Sequence, residues 1–276
     1  MRLLFFGDCM FGRDGYPFVK NPFRYVSEFI HETDFIFFNL ETVISPETIL
    51  EKYKEPKTFN YQSTGKQLKK LRSITQATIF ASIANNHSLD YGLQGLRATE
   101  NFLDDNGILY NQGKDPITRK GVTFLSATDH CGCNNLEKWG ESVWVIDYNN
   151  LEPVLRKIRL LSQTSLIVLS IHWGSNWVTR IPSKIKRLGR ELIDAGVDIV
   201  FGHSAHHIPP DPVEFYKGGL IIYGLGDFVN DYAIDSDFRS DEALMCTISE
   251  LGRVSLIPVL RTFVNSRSSI PSQDFL

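Results

Sequence analysis

The sequence lacks the features of secreted, membrane-spanning and disulfide-stabilised proteins. Its 276 residues include only four cysteines, which are too few and too scattered for a disulfide framework. No apolar run is long enough for a membrane span, and the opening Met-Arg-Leu-Leu-Phe-Phe-Gly-Asp turns polar too soon for a signal peptide. We therefore expect a cytoplasmic protein with no membrane span.

Positive charge is not in excess either. The chain has 29 Lys and Arg residues against 32 Asp and Glu residues, which gives a formal net charge of −3 without a basic stripe. Two basic runs, Lys66–Arg72 and Lys184–Arg190, have the pattern of amphipathic helices, so we interpret them as solvated helix faces. Proteins that bind nucleic acid through its phosphates need a concentrated positive surface. We therefore predict no nucleic-acid partner, and the sequence leaves the oligomeric state open.

The sequence contains no Pro- or Ser-rich linker and no internal repeat. Short apolar runs alternate with helical stripes, including a predicted helix over Phe23–His31. In the last third, runs joined by Lys217–Gly219 and Glu250–Arg253 are typical of hairpins. We predict one domain over residues 1–265, a frayed tail over 266–276, and an α/β fold in which two packed sheets lie between outer helices, a four-layer α/β/β/α sandwich.

Polar residues concentrate where the predicted strands end. In open α/β sheets, active sites form beyond the carboxyl ends of the strands. The residues at these ends are Asp8, Asn39, Glu41, Asn86, His87, His172, His203 and His206. This mixture of nitrogen and oxygen donors suits Mn²⁺, Fe²⁺ or Zn²⁺ better than Ca²⁺ or Mg²⁺. A bridging carboxylate would allow two ions, which would acidify a bound water and stabilise a developing oxyanion.

Taken singly, several of these residues have a purely structural explanation. Asp8 and Asn39 could cap turns after their strands, and His172 could be a core histidine bonded to the backbone. His203 and His206 are harder to explain by packing, because the two imidazoles are three residues apart in a loop that starts with glycine. The set as a whole therefore favours a metal site.

Six motifs resemble, in their order along the chain, those of a known family. They are Gly7–Arg13, Asn39–Thr42, Ala84–Gly92, His172–Gly174, Gly202–His206 and Tyr223–Val229. The chain is similar over about residues 3–230 to CapA proteins of capsule and poly-γ-glutamate biosynthesis. That family resembles a branch of the calcineurin-like metallophosphoesterase superfamily, so the resemblance implies a metallophosphoesterase-like sandwich with a metal centre.

The resemblance also implies roles for individual residues. The metal ligands would be Asp8, Glu41, Asn86, His172, His203 and His206. His87 would transfer a proton beside the metal-bound water. Asp90 would orient His87, and Arg13 would bind an anionic group of the substrate. One or two divalent transition metal ions would be the cofactor.

Three residues depart from the pattern of the relatives. Met10 occupies the place of a histidine ligand in the wider superfamily, which removes a nitrogen donor. Glu41 stands where that superfamily bridges two ions with Asp, and Asp227 where many relatives have Asn. We expect the exchanges at Met10 and Glu41 to leave either one ion or one tight and one weak ion, and the exchange at Asp227 to retune substrate contacts.

The resemblance leaves three functions open. The leading hypothesis is a metal-dependent hydrolase of a phosphoester or of a γ-glutamyl or other peptide-like substrate. The second is an epimerase that acts at a Cα of a ribosomally made peptide, where a metal polarises a carbonyl and a base removes the proton. The third is a non-catalytic accessory protein of capsule or polyglutamate synthesis.

Overall fold

The computed structural model describes residues 1–13, 16–17, 21–45, 59–129, 142–161, 164–230 and 232–260, without the side chains of residues 13, 16 and 17. The predicted tail over 266–276 lies outside these residues, and the single domain stays a prediction. Within the described residues, no helix has both the length and the apolar character to cross a bilayer.

The first sheet has seven strands. They are β1 (Leu3–Cys9), β4 (Phe35–Leu40), β7 (Thr78–Ser82), β8 (Leu109–Asn111), β15 (Asp227–Val229), β16 (Glu242–Ile248) and β17 (Val254–Leu260). The spatial order is β17-β16-β1-β4-β7-β8, and β15 pairs with the end of β1. Strands β1, β4, β7, β8 and β15 pair in parallel, whereas β16 runs antiparallel to both β1 and β17. The carboxyl ends of β1, β4 and β7 therefore lie at one edge.

The second sheet has six strands and repeats this arrangement. They are β9 (Ile117–Arg119), β10 (Val122–Thr128), β11 (Leu166–His172), β12 (Ile199–His203), β13 (Val213–Tyr216) and β14 (Gly219–Ile222), in the spatial order β13-β14-β12-β11-β10-β9. Strands β10, β11, β12 and β14 pair in parallel. Two small ribbons complete the strands, β2 (Gly12–Arg13) with β3 (Tyr16–Pro17) and β5 (Val43–Ile44) with β6 (Gln62–Ser63).

Helices cover the outer faces of both sheets. They are α1 (Ser27–His31), α2 (Lys66–Ser73), α3 (Gly92–Asp105), α4 (Glu152–Arg159) and α5 (Ser183–Asp194). Apolar residues of α1, α2 and α3 share a core with the outer face of the first sheet. Those of α4 and α5 do the same on the second sheet. The predicted four layers are therefore present, and the two basic runs lie on α2 and α5 as expected.

The inner faces of the two sheets pack on each other through aromatic rings. Phe5 stacks on Phe37 with ring centroids 4.6 Å apart, and Phe201 from the second sheet approaches Phe5 at 5.2 Å. Phe124 lies 5.8 Å from Phe37. All four side chains are fully buried. Because β-strand side chains alternate between faces, the continuous apolar run of β1 supplies both this core and the outer one.

Of the local structures predicted from the sequence, one helix is partly wrong and the hairpins are correct. The helix predicted over Phe23–His31 is wrong in its first half, since the helix begins only at Ser27. The side chain of Asn21 accepts a hydrogen bond from the backbone N–H of Phe23, which stabilises a turn instead. The predicted hairpins are confirmed, because β13 pairs with β14 and β16 with β17.

Candidate metal centre

The strand ends of the two sheets meet at one buried centre. His172 and His203 are the last residues of β11 and β12 and lie opposite each other in the parallel register. Asp8 lies near the end of β1 and opposite Asn39 in β4. The structure thus brings these predicted residues together, because Asp8 and His203 come into contact although they lie 195 positions apart in the chain.

One group of possible metal ligands contains Asp8, His172 and His203. The Nδ1 atoms of the two histidines are 2.9 Å apart, and Nδ1 of His203 is 3.6 Å from Oδ1 of Asp8. On its other side, Nε2 of His203 is 2.9 Å from the hydroxyl of Ser170. All three candidate ligands are buried, and their donor atoms lie within 4.8 Å of one another. A single ion can therefore contact all three.

A second group contains Asp8, His206 and Asp227. Nδ1 of His206 is 2.9 Å from Oδ1 of Asp227 and 3.9 Å from Oδ2 of Asp8. The backbone N–H of Ser204 donates to Oδ2 of Asp8 at 3.0 Å. From the sequence we expected Asp227 to affect substrate contacts and did not include it among the candidate metal ligands. The sequence offered one signal for this position, because Asp227 stands where many relatives have Asn and so adds a carboxylate.

Glu41 and Asn39 lie between the two sheets. The side chain of Asn39 donates to Oδ1 of Asp8 at 2.7 Å and to Oε2 of Glu41 at 3.4 Å. Oε1 of Glu41 is 3.8 Å from Nε2 of His172 and also 3.8 Å from Nε2 of His87. Asn39 therefore orients both carboxylates, and Glu41 connects the candidate ligands to His87.

His87 is held by a carboxylate on the side away from Glu41. Its Nδ1 is 2.7 Å from Oδ2 of Asp90, and the same oxygen accepts the backbone N–H of Tyr61 at 2.7 Å. The ring of Tyr61 meets the imidazole edge to face, with centroids 4.5 Å apart. This pairing favours the tautomer with the proton on Nδ1, so Nε2 is the atom directed toward Glu41.

The adjacent asparagines differ in their surroundings. Asn85 is fully buried, and its side chain donates to Oδ1 of Asn39 at 3.0 Å and to the carbonyl of Leu40 at 2.9 Å. Its Oδ1 accepts the backbone N–H of His87 at 3.0 Å. Asn86 is only half-buried. Asn85 therefore fixes the loop that holds Asn86 and His87, and the ligand role of Asn86 stays a prediction.

Two further positions named in the sequence analysis are Met10, which stands in place of a histidine ligand, and Arg13, the predicted substrate contact. Met10 is fully buried and packs with Tyr61 and Tyr232, whose ring lies 5.1 Å from that of His206. The exchange of histidine for Met10 thus adds apolar packing to one wall of the centre. The backbone of Arg13 lies in β2, but its side chain lies outside the described part of the chain. Its predicted contact with the substrate therefore stays a prediction.

The charges of the centre are strongly interdependent. Burial and the neighbouring carboxylate of Asp227 raise the pKa of Asp8 to about 7. Burial and the nearby charge of His206 hold the pKa of His203 well below its usual value. Burial also lowers the pKa of His206, but the carboxylates led by Asp227 outweigh it and raise that pKa to about 10. The centre therefore favours positive charge next to Asp8 and Asp227.

The donor set fits a divalent transition metal. Neutral imidazole nitrogen and carboxylate oxygen are ordinary ligands of zinc, manganese and iron. Carboxylates buried this close together are stabilised by a neighbouring positive charge, which protonated His206 or a bound metal ion can supply. A buried cluster that could bind a metal is therefore present, and the donors do not select among these metals.

The family comparison agrees with the resemblance inferred from the motifs. A family model described as bacterial capsule synthesis protein PGA_cap matches residues 2–232. The chain belongs to the PGA_cap family. A Mycobacterium tuberculosis protein described as a probable polyglutamine synthesis accessory protein is 30% identical over 243 residues, which cover 77% of this chain and 60% of that protein. The PGA biosynthesis protein CapA of Bacillus subtilis is 30% identical over 245 residues, 82% of this chain and 62% of that protein. This PGA_cap chain thus spans about 60% of the length of these relatives.

A solved structure supports the fold of this PGA_cap chain. A Mycoplasma pneumoniae protein described as a novel phosphatase matches with a TM-score of 0.51 at 10% identity, covering 98% of this chain and 95% of that protein. At this identity the likeness concerns the fold alone, and it agrees with the predicted α/β/β/α sandwich.

Proposed function

We propose that this chain is a metal-dependent hydrolase. The observation that carries the proposal is the pair His87 and Asp90, because it places an oriented imidazole next to the candidate ligands without a need for it to bind metal. The proposed ligands are Asp8, Glu41, Asn86, His172, His203 and His206. When bound, one or two ions would supply an acidified water and a positive charge for the developing oxyanion.

The residues around His87 suit it for proton transfer to a leaving group. Asp90 holds Nδ1, so the proton that moves is carried on Nε2, the atom that lies 3.8 Å from Glu41. Asp90 would also stabilise the imidazolium that donates this proton, as a buried carboxylate does for a catalytic histidine. We propose Arg13 as a contact for an anionic group of the substrate.

The descriptions of the relatives favour a γ-glutamyl substrate over a general phosphoester. The Bacillus subtilis protein is described as taking part in PGA biosynthesis, and the mycobacterial protein as an accessory of polyglutamine synthesis. We propose a peptide-like polymer or a small fragment of it as the substrate, and a cytoplasmic location. The word accessory in the second description favours one alternative, in which the chain assists a synthase without catalysis.

The test compares wild type with His87→Ala on two chromogenic probes, a γ-glutamyl anilide and a phosphodiester. We expect turnover to fall by about 10²- to 10⁴-fold, because general acid catalysis contributes that much. Metal content by elemental analysis should stay unchanged. His31→Ala, an exposed histidine on α1, is the matched control and should keep full activity.

Each other outcome identifies a different function. Full activity in His87→Ala would sink the proposed mechanism. Wild-type protein that binds metal but cleaves neither probe nor poly-γ-glutamate would support the accessory role. Deuterium uptake at a peptide Cα in D₂O, without cleavage, would instead support the epimerase.

A further inference from the structure

The carboxylates of Asp8 and Asp227 are brought together by an unusually close approach of two strands. Asp8 and Asp227 are partners in the parallel pairing of β1 and β15. A Cβ atom on Gly7 would overlap the carbonyl oxygen of Gly226, so the backbones touch at the preceding position. The backbone N–H of Asp8 donates to that carbonyl at 3.1 Å. Two acidic side chains therefore lie side by side in a buried place.

His206 faces both carboxylates. Its Nδ1 is 2.9 Å from Asp227 and 3.9 Å from Asp8. Ligand atoms of one ion with bonds of about 2.1 Å are separated by about 3.0 to 3.4 Å at octahedral or tetrahedral angles. The two observed distances bracket this separation. Asn230 donates to the second oxygen of Asp227 and keeps the carboxylate in place.

We propose that Asp227 is a ligand of a second metal ion, together with Asp8 and His206, and that it replaces the nitrogen ligand lost at Met10. Met10 packs against Tyr61 and provides no nitrogen donor. Asp8 belongs to both candidate groups, so the two ions would be neighbours that share it. This inference rests on the metal centre of the proposed function. It changes the ion content expected after the exchange at Met10 from one ion, or one tight and one weak ion, to two ions.

Another role for Asp227 would give the same distance to His206. The carboxylate could only orient the imidazole by accepting its Nδ1–H, as partners of metal-bound histidines often do. The two roles differ in whether the negative charge of Asp227 is needed for the ion to bind. An orienting acceptor can be replaced by a neutral amide of equal size, whereas a ligand that neutralises a cation cannot.

The test is metal titration of Asp227→Asn, followed by elemental analysis and calorimetry with Zn²⁺. We expect wild type to bind two ions per chain. In the variant, we expect the second ion to bind more than about 100-fold more weakly, which exceeds the 10- to 100-fold typical of a partner that only orients a ligand. Asp198→Asn is the control: its carboxylate accepts the N–H of Ile167 at the opposite ends of β11 and β12, and this variant should still bind two ions.

Two results would overturn the assignment of Asp227. One is a wild type that never binds more than one ion, and the other is a second ion in Asp227→Asn weakened by less than 100-fold. If the asparagine variant does not fold, Asp227→Cys loaded with Co²⁺ decides. A sulfur-to-cobalt charge-transfer band that wild type lacks would support coordination, and its absence would refute it.

Failure of this inference differs from failure of the hydrolase proposal. Two bound ions without cleavage of any probe would leave the ligand assignment standing and remove the activity. Cleavage by a protein with one ion would do the reverse. Because binding is measured without turnover, each result addresses one proposal.

Discussion

At the scale of single residues, the centre depends on opposing effects of burial and charge. Asp8 is almost fully buried, and its pKa of about 7 lies above the ordinary 3.8. Its ionised form is therefore disfavoured by folding when no cation is present. This property makes the free energy of unfolding of the chelated protein dependent on pH.

We predict that Asp8→Asn stabilises the chelated protein at pH 8 more than at pH 5. An acid whose folded pKa is raised binds more protons in the folded state between the two pKa values, so stability falls as pH rises from about 4 to about 7. The gain from the variant should increase by about 2 to 3 kcal/mol from pH 5 to pH 8, because about two of the pH units between 5 and the folded pKa of about 7 each contribute about 1.4 kcal/mol. Urea unfolding at both pH values measures it.

The matched condition is the same experiment with Zn²⁺ present. There the ionised carboxylate is expected to hold the ion, so Asp8→Asn should destabilise the protein at pH 8. A variant that is equally stabilising with and without zinc would contradict a metal role for Asp8.

At the scale of elements, the centre depends on how closely β1 and β15 approach. We predict that Gly7→Ala destabilises the protein by about 3 kcal/mol, because the new Cβ overlaps the carbonyl of Gly226 and the strands must separate. The second candidate metal group should weaken with it. Chemical unfolding and metal titration measure the two effects.

Gly113→Ala serves as the control for this change. No heavy atom outside its chain neighbours lies within 4 Å of the Cβ that alanine would add, so the free energy of unfolding should change by less than about 0.5 kcal/mol. Equal effects of the two variants would show that the close approach is not required.

The elements themselves were largely predictable from the sequence, and the exceptions have physical causes. Apolar runs such as β4 are buried on both faces and are recognisable as parallel strands. Strand β10 was not predicted, because Thr123, Ser126 and Thr128 interrupt its apolar run. These hydroxyls are tolerated in the fold, where Thr123 bonds Ser165 and Thr128 bonds the carbonyl of His172.

The candidate site was predictable only in part. Most of its residues lie at the carboxyl end of a strand or just past it, which is a local signal. Asp227 and Asn39 gain their positions from partners on other strands or loops, Asp8 and His206 for Asp227 and Asp8 for Asn39. Pairing between distant strands is not readable from a single sequence, so these two contributions required the structure.

At the scale of the whole molecule, the candidate ligands come from both sheets. Asp8 lies near the end of β1 and Glu41 follows β4 in the first sheet, and His172 and His203 end strands of the second. An ion held by all of them would connect the two layers that otherwise meet through the aromatic core around Phe37. Metal binding should therefore stabilise the assembled sandwich.

We predict that chelation lowers the thermal midpoint of unfolding and that Zn²⁺ restores it. At a free ion concentration 100 times the dissociation constant, binding contributes about 2.7 kcal/mol. His203→Ala should reduce this shift strongly, whereas His31→Ala should keep it. Differential scanning calorimetry at several zinc concentrations measures the effect, and a midpoint independent of zinc would contradict it.

The position of β1 in its sheet has a consequence for protein synthesis. One side of β1 pairs with β4, which leaves the ribosome soon afterwards, but the other side pairs with β16, which begins only at Glu242. Until then the nascent chain exposes a strand edge rich in Leu and Phe, a template for pairing with other chains. The strand that contributes Asp8 thus precedes its partner β16 by more than 200 positions, and a chaperone that binds apolar strand edges would shield it while the intervening chain is made.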